Sequence, residues 1–119
     1  MDNMDTQQII DKLEGFLVWV KEDLDTEAKD YGYLKAIKDH DSKLCDIKLA
    51  ELKIKYEGSD ASQTTNAKAN PEWAEFLTTH RGNLADFYTL DYKKGMKMEA
   101  IGALRSLLSF EKGRFNQEV

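Results

Sequence analysis

The stretch Asn70-Pro71-Glu72-Trp73 contains the only proline of the 119-residue chain and reads as the start of a long helix. Asparagine is a favoured N-cap, proline is favoured at the first helical position, and an acidic residue suits the first turn. Amphipathic helical patterns lie on both sides of this stretch. We therefore expect an all-α fold without a sheet, in which a helical hairpin is followed by a long, coiled-coil-like third helix.

The sequence after Pro71 predicts one helix over about residues 71–112. Large apolar side chains recur with alternating spacings of four and three residues, which is the period of a coiled coil. Gly113 is expected to end the helix. Apolar stripes on helices this long would face water in a single chain, which predicts self-association. The side chains predicted to contact the partner are Trp73, Leu77, Leu84, Phe87, Ile101 and Leu108.

Two earlier amphipathic patterns predict helices over about residues 5–24 and 27–56. Asp5 and Gln8 have the spacing of a capping box, and Asp25–Thr26 offers a fresh N-cap, so a tight helix–helix turn is expected there. Residues 57–70 contain no apolar side chain larger than alanine, which predicts a flexible connector. The whole chain is expected to form a single helical domain, residues 1–119.

Composition restricts the possible class of protein. The formal charge is −5, and no apolar run approaches the ~20 residues that a membrane span requires. The acidic and polar residues at the beginning, Met1–Thr6, do not form a signal peptide. The lone Cys45 cannot form an internal disulfide, which favours a reducing, cytoplasmic location.

Residues suited to catalysis or metal binding are few, and we predict neither an enzyme nor a cofactor or metal site. Neither His40 nor His80 lies in a recognisable metal-binding motif. His40, between two aspartates, could bind a metal or lie on a solvated turn of helix. His80 is expected to be a hydrogen-bonded packing histidine, and Cys45 a structural thiol.

Charge is distributed unevenly along the chain. Residues 1–30 carry nine acidic residues and three lysines, whereas residues 93–119 carry six basic residues and three acidic ones. Aromatic side chains lie among the basic residues, and such mixtures bind single-stranded nucleic acid by phosphate contacts and base stacking. The candidate nucleic-acid-binding residues are Lys93, Lys94, Lys97, Arg105, Lys112 and Arg114.

The lysine-rich segment 43–53, the polar connector and the long last helix ending in Ile101-Gly102-Ala103-Leu104-Arg105-Ser106-Leu107-Leu108 resemble the UvsY-like recombination mediators of phages. The resemblance covers roughly residues 30–114. It implies a homo-oligomer in the host-cell cytoplasm that binds single-stranded DNA and helps to load a recombinase onto strands coated by single-strand-binding protein. By position, it also implies phosphate contacts for Lys93, Lys94, Lys97 and Arg105.

Two other hypotheses come from different classes of protein. The chain could be an inhibitor of the anti-CRISPR or other anti-defence type, whose acidic N-terminal segment docks on a basic nucleic-acid-binding surface of its target. The acidic residues involved would be Asp11, Glu14, Glu22, Asp23, Asp25, Glu27 and Asp30. The chain could also be a structural coiled-coil adaptor.

Overall fold

The computed structural model describes residues 5–118, and within this range it contains four α-helices and no strand. They are α1 (Thr6–Asp39), α2 (Asp41–Lys53), α3 (Asp60–Ala69) and α4 (Pro71–Glu118). The predicted all-α fold with a hairpin before a long helix is confirmed, although the hairpin consists of α2 and α3 and not of the predicted helices 5–24 and 27–56. None of the helices in the described range is long and apolar enough to cross a bilayer.

Two predicted helix starts are confirmed by their hydrogen bonds. The Gln8 backbone N–H donates to the Asp5 carboxylate at 2.8 Å, and the Asp5 N–H donates to the Gln8 side chain at 3.0 Å, which completes the capping box before α1. The Glu72 N–H donates to Asn70 Oδ1 at 2.9 Å, and α4 begins at Pro71. Both starts depend on interactions between residues two or three positions apart.

The predicted turn at Asp25–Thr26 is wrong, because α1 continues through it to Asp39. The Thr26 hydroxyl donates to the Glu22 carbonyl at 2.9 Å, one turn earlier in the same helix, and so does not cap a new one. The predicted second helix, residues 27–56, is therefore not one helix, because its first part belongs to α1 and its later part forms α2. His40, with φ −108° and ψ 18°, separates α1 from α2, and α2 ends at Lys53.

The predicted connector over residues 57–70 is also different, because most of it is α3. Ser59 caps this helix by accepting a hydrogen bond from the Ser62 N–H at 3.2 Å. The Thr64 and Thr65 hydroxyls donate to carbonyls four residues earlier, and Ala67 is fully buried. The small side chains of this segment thus allow α3 to pack closely against α2. In the sequence, the same small side chains predicted a flexible connector.

The last helix is longer than predicted, since α4 continues past Gly113 to Glu118. Its inward side also differs in three places from the predicted four-three stripe. A strict four-three spacing counted from Trp73 places Asp91, Met98 and Arg105 in the stripe, but these three are exposed. Their neighbours Leu90, Lys97 and Leu104 are half-buried instead. A shift of one residue changes the side of the helix by about 100°, and packing in the folded chain selects which of the two positions points inward.

The chain divides into two compact units. Of the described residues, unit 1 comprises 5–29 and 90–118, and it therefore contains the first part of α1 and the last part of α4. In unit 1 the two helices run antiparallel, since Lys97 contacts Asp23 and Glu27 while the later Lys112 contacts the earlier Glu14. The buried apolar side chains of unit 1 are Ile10, Val20 and Leu108.

Unit 2 comprises residues 30–89 and contains the end of α1, all of α2 and α3, and the beginning of α4. Its buried apolar side chains are Leu34, Leu52, Ala67 and Phe87. The Tyr31 and Phe87 rings lie 5.6 Å apart, and the Lys38 ammonium lies 5.9 Å from the centre of the Phe87 ring. The single domain predicted for residues 1–119 is thus organised as two units with different interiors.

Candidate functional site

Three side chains with ligand or catalytic chemistry meet in unit 2, and we call them the polar cluster: Asp41, Cys45 and His80. Asp41 and Cys45 lie one turn apart on α2, and His80 reaches them from α4. His80 Nε2 is hydrogen-bonded to Asp41 Oδ1, and the Cys45 thiol donates to the same oxygen at 3.8 Å. The three ligand atoms all lie within 4.8 Å of one another.

The surroundings of the polar cluster do not activate the thiol. Burial raises the pKa of Cys45 from its ordinary value of 9.0, and the negative charge of Asp41 raises it further, while Arg81 opposes the shift. The thiol is therefore protonated at neutral pH, and its hydrogen bond goes to Asp41 and not to an imidazole base. A cysteine nucleophile needs the opposite environment, one that stabilises the thiolate.

His80 is held firmly within this cluster. Its side chain is 5% exposed, and its ring stacks on the Phe76 ring with a centroid distance of 5.3 Å and an interplanar angle of 13°. The prediction of a hydrogen-bonded packing histidine is confirmed. Its hydrogen-bond partner Asp41 lies 39 positions earlier in the chain, and the sequence did not predict this pair. A local signal existed, because Asp41 and Cys45 share one face of α2.

The predicted nucleic-acid-binding residues include several cations that contact carboxylates. Lys97 Nζ lies 2.6 Å from Asp23 and 2.9 Å from Glu27, and its side chain is only 19% exposed. Lys112 lies 3.3 Å from Glu14, and Arg114 lies 3.3 Å from Glu111. Of the other three candidates, Lys93 and Arg105 are exposed and Lys94 is half-buried.

The ion pairs of Lys97 stabilise its charged form. Hydrogen bonds to Asp23 and then Glu27 raise the pKa of Lys97 from its ordinary value of 10.5. The ammonium therefore stays charged in the folded chain and neutralises part of the acidic N-terminal segment. Three of the seven acidic residues proposed for inhibitor docking, Glu14, Asp23 and Glu27, contact lysines of α4 in this way.

The six predicted partner-binding residues occupy the inward side of α4. Phe87 and Leu108 are buried in the chain's own core. The other four, Trp73, Leu77, Leu84 and Ile101, are half-buried. The heptad stripe identified in the sequence is thus used mainly to pack α4 against the preceding helices of its own unit.

A different set of apolar side chains is exposed on one side of unit 1, and we call this set the apolar face. Trp19 from α1 and Met96 from α4 line a cavity of about 470 Å³, together with Lys93 and Ala100. Phe16 lies one turn before Trp19, beside Lys12 and Gly15. Leu107 and Phe110 continue the four-three spacing of Met96 and Ala100 along α4. Exposures are Phe16 57%, Trp19 65%, Met96 54%, Leu107 50% and Phe110 63%.

Unit 2 carries a second apolar groove, which lies beside the junction of α1 and α2. Its cavity of about 430 Å³ is lined by Tyr33, Ala36, Ile37, His40, Lys43, Leu44 and Ile47. All of these residues come from α1, α2 and the residue between them, and none comes from α4. The groove is thus formed by two helices that follow each other directly in the chain, whereas the apolar face of unit 1 combines parts of α1 and α4, which are far apart in sequence.

The chain was compared with protein-family models, with curated proteins and with solved structures, and none of the three comparisons gave a match.

Proposed function

We propose that the chain acts without catalysis, as a helical interaction module that pairs with a second copy of itself through the apolar face of unit 1. The observation that carries this proposal is the exposure of five large apolar side chains contributed by both helices, two of which, Trp19 and Met96, line one cavity. Contiguous apolar patches of more than a few hundred Å² are uncommon on monomeric proteins and usually mark interaction sites.

A second copy fits the face because two helices can cover only one side of each other. In unit 1 the inward side of each helix packs on the other helix, and the apolar face is a further side with coiled-coil spacing. Two such helix pairs, stacked face to face, form a four-helix bundle. Small residues beside large ones, such as Ala100 beside Trp19, provide the holes and knobs that this packing requires.

The available area is sufficient for a dimer of moderate affinity. Aromatic side chains bury ~150–250 Å² each when fully covered. With the same range for the leucine and the methionine, the five exposed side chains offer roughly 400–700 Å² per copy. A standard interface buries ~800 Å² per partner, and the polar rim, including Lys12 and Lys93, would supply the remainder. Because buried area alone does not set affinity, we take a dissociation constant on the order of micromolar as the value to be tested.

The narrower roles predicted from the sequence remain proposals within this framework. A mediator would bind single-stranded DNA first through the exposed Lys93 and Arg105, because Lys97 would have to leave Asp23 and Glu27. An inhibitor would use the acidic residues outside the ion pairs. An adaptor would need neither. The pairing of cations with carboxylates favours a protein partner over DNA as the first interaction to test.

The test is the mass of the chain in solution, measured by sedimentation equilibrium over a wide concentration range. We expect a dimer for the unchanged chain and a shift towards monomer for Trp19→Glu, because a buried unpaired carboxylate is strongly unfavourable. The dissociation constant should rise at least about tenfold, which corresponds to ~1.4 kcal/mol.

Val18→Glu is a matched control for this experiment. Val18 adjoins Trp19, is 55% exposed, and lies about 100° away around α1, outside both cavities of unit 1. It should leave the dissociation constant unchanged. A monomer for the unchanged chain at about 100 µM, or equal effects of the two substitutions, would contradict the proposal.

Labelled single-stranded oligonucleotide added to the same samples separates the mediator from the adaptor, since phosphate contacts weaken steeply with salt.

A further inference from the structure

We infer that Asp41, Cys45 and His80 form a binding site for a divalent transition metal of the zinc class. A carboxylate, a thiol and an imidazole, the three side-chain types that bind zinc in proteins, converge here from two helices. This inference concerns unit 2 and is independent of self-association through unit 1.

The distances between the ligand atoms are close to those of a tetrahedral site. Metal–ligand lengths of ~2.0–2.3 Å place neighbouring ligand atoms roughly 3.3–3.8 Å apart. The Cys45 sulfur lies 3.8 Å from Asp41 Oδ1, and no pair of ligand atoms in the cluster is more than 4.8 Å apart. His80 and Asp41 form a hydrogen bond that a metal would replace, with small rotations of both side chains.

The surroundings of the cluster fix the positions of His80 and Cys45 and leave Asp41 accessible to a metal ion from solvent. The imidazole of His80 is buried and stacked on Phe76, and Cys45 lies on the same face of α2 as Asp41. The Asp41 side chain is 49% exposed, so water can reach this side of the cluster. Three protein ligands with a fourth position open to water is the arrangement of a zinc site that can bind an exogenous ligand.

The ligand types also determine which metal is expected. Thiolate and imidazole ligands favour Zn²⁺ and its neighbours among the transition metals, whereas Mg²⁺ and Ca²⁺ prefer sites made of oxygen ligands alone. We therefore expect Zn²⁺ and Co²⁺ to bind, and Mg²⁺ to have no measurable effect at millimolar concentration.

The experiment is a titration of the reduced full-length chain with Co²⁺, followed by its absorption spectrum. Binding should produce one equivalent of a tetrahedral cobalt spectrum with a thiolate-to-metal charge-transfer band, with a dissociation constant at or below about 10 µM, and Zn²⁺ should remove it. A saturating spectrum without the charge-transfer band, or no saturable spectrum at all, would overturn the inference.

Variants then identify the ligands. Cys45→Ser should abolish the charge-transfer band, and Asp41→Asn and His80→Gln should each weaken Co²⁺ binding at least about tenfold. His40→Gln is the control, because His40 is exposed, adjoins Asp41 and lies outside the cluster. Circular dichroism verifies that each variant is helical, and Cys45→Ser, the most conservative change, gives a result even if His80→Gln unfolds. Equal loss in the His40→Gln control, or full binding by Cys45→Ser, contradicts the assignment.

Discussion

Unit 1 and unit 2 both contain parts of α1 and α4, yet they are stabilised differently. Unit 2 adds α2 and α3, buries Leu52 completely, and brings aromatic rings together around Phe87 and Phe76. The described part of unit 1 consists of two helices, and lysine–carboxylate pairs connect them. The comparison shows that helix number decides how much apolar surface a unit can hide. Two helices cover one side of each other, which explains why the apolar face of unit 1 stays exposed.

The largest effect is expected from Leu52→Ala, which opens a cavity in unit 2. Leu52 is fully buried, and removing a buried leucine side chain typically costs ~2–5 kcal/mol because transfer and cavity contributions add. The free energy of unfolding, measured with urea, should fall by this amount. Amide hydrogen exchange should show that the loss is concentrated in unit 2, which directly tests the division into two units.

Ile54→Ala provides the control for this prediction. Ile54 lies just after α2, close to Leu52 in sequence, but its side chain is 84% exposed. Its replacement should change the unfolding free energy by less than about 0.5 kcal/mol. A loss as large as that of Leu52→Ala would mean that residues 52–54 pack differently from the arrangement described.

A smaller effect is expected from Asn70→Ala, which removes the cap of α4. Asn70 Oδ1 accepts the Glu72 N–H at 2.9 Å, and its Nδ2 donates to the Tyr56 hydroxyl at 3.1 Å. Loss of an asparagine N-cap costs ~0.5–2 kcal/mol. Urea unfolding should show this loss with little dependence on salt, because both hydrogen bonds involve neutral groups.

Asn66→Ala is the matched substitution inside α3, where the side chain is exposed and alanine suits the helix. It should be neutral or slightly stabilising. Equal destabilisation by the two alanine substitutions would show that the cap at Asn70 contributes nothing specific. The double variant Asn70→Ala/Tyr56→Phe should lose less unfolding free energy than the two single variants together, since both changes remove the hydrogen bond between Asn70 and Tyr56.

The smallest effect is expected from Lys97→Met, which removes the two ion pairs of unit 1 and retains the aliphatic stem. Stability should fall slightly at low salt, and the difference should shrink at high salt because surface charges are screened. Contacts with carboxylates raise the pKa of Lys97 above 10.5. Its contribution should therefore be complete below pH 10.5 and disappear as the pH rises through the raised pKa.

Lys21→Met is the control within unit 1, because Lys21 is exposed on α1. Thermal unfolding at two salt concentrations should leave it indistinguishable from the unchanged chain. If Lys97→Met behaves like this control but weakens binding to single-stranded oligonucleotide, Lys97 is a phosphate contact, as the sequence predicted, and not a stabilising cation of unit 1.

The starts of α1 and α4 could be predicted from sequence, whereas the boundary between α1 and α2, the helix α3 and the helix ends could not. The caps at Asp5 and Asn70 are formed by neighbours within three positions. Thr26 allows two local outcomes, a new N-cap or a bond back to the preceding turn, and the sequence contains no local signal that chooses between them. The α3 segment was missed because it depends on the packing of Ala67 against other parts of unit 2.

By itself, the sequence determined the all-α class, the start of α4 at Pro71 and the general amphipathic pattern, because these follow from interactions within one or two helical turns. Only the tertiary structure decided which neighbour of each stripe position points inward, which carboxylates contact Lys97, and that Asp41, Cys45 and His80 converge. These features depend on the register between helices far apart in sequence. A rotation of one residue moves a side chain by about 100°, and the helical period alone does not fix that rotation.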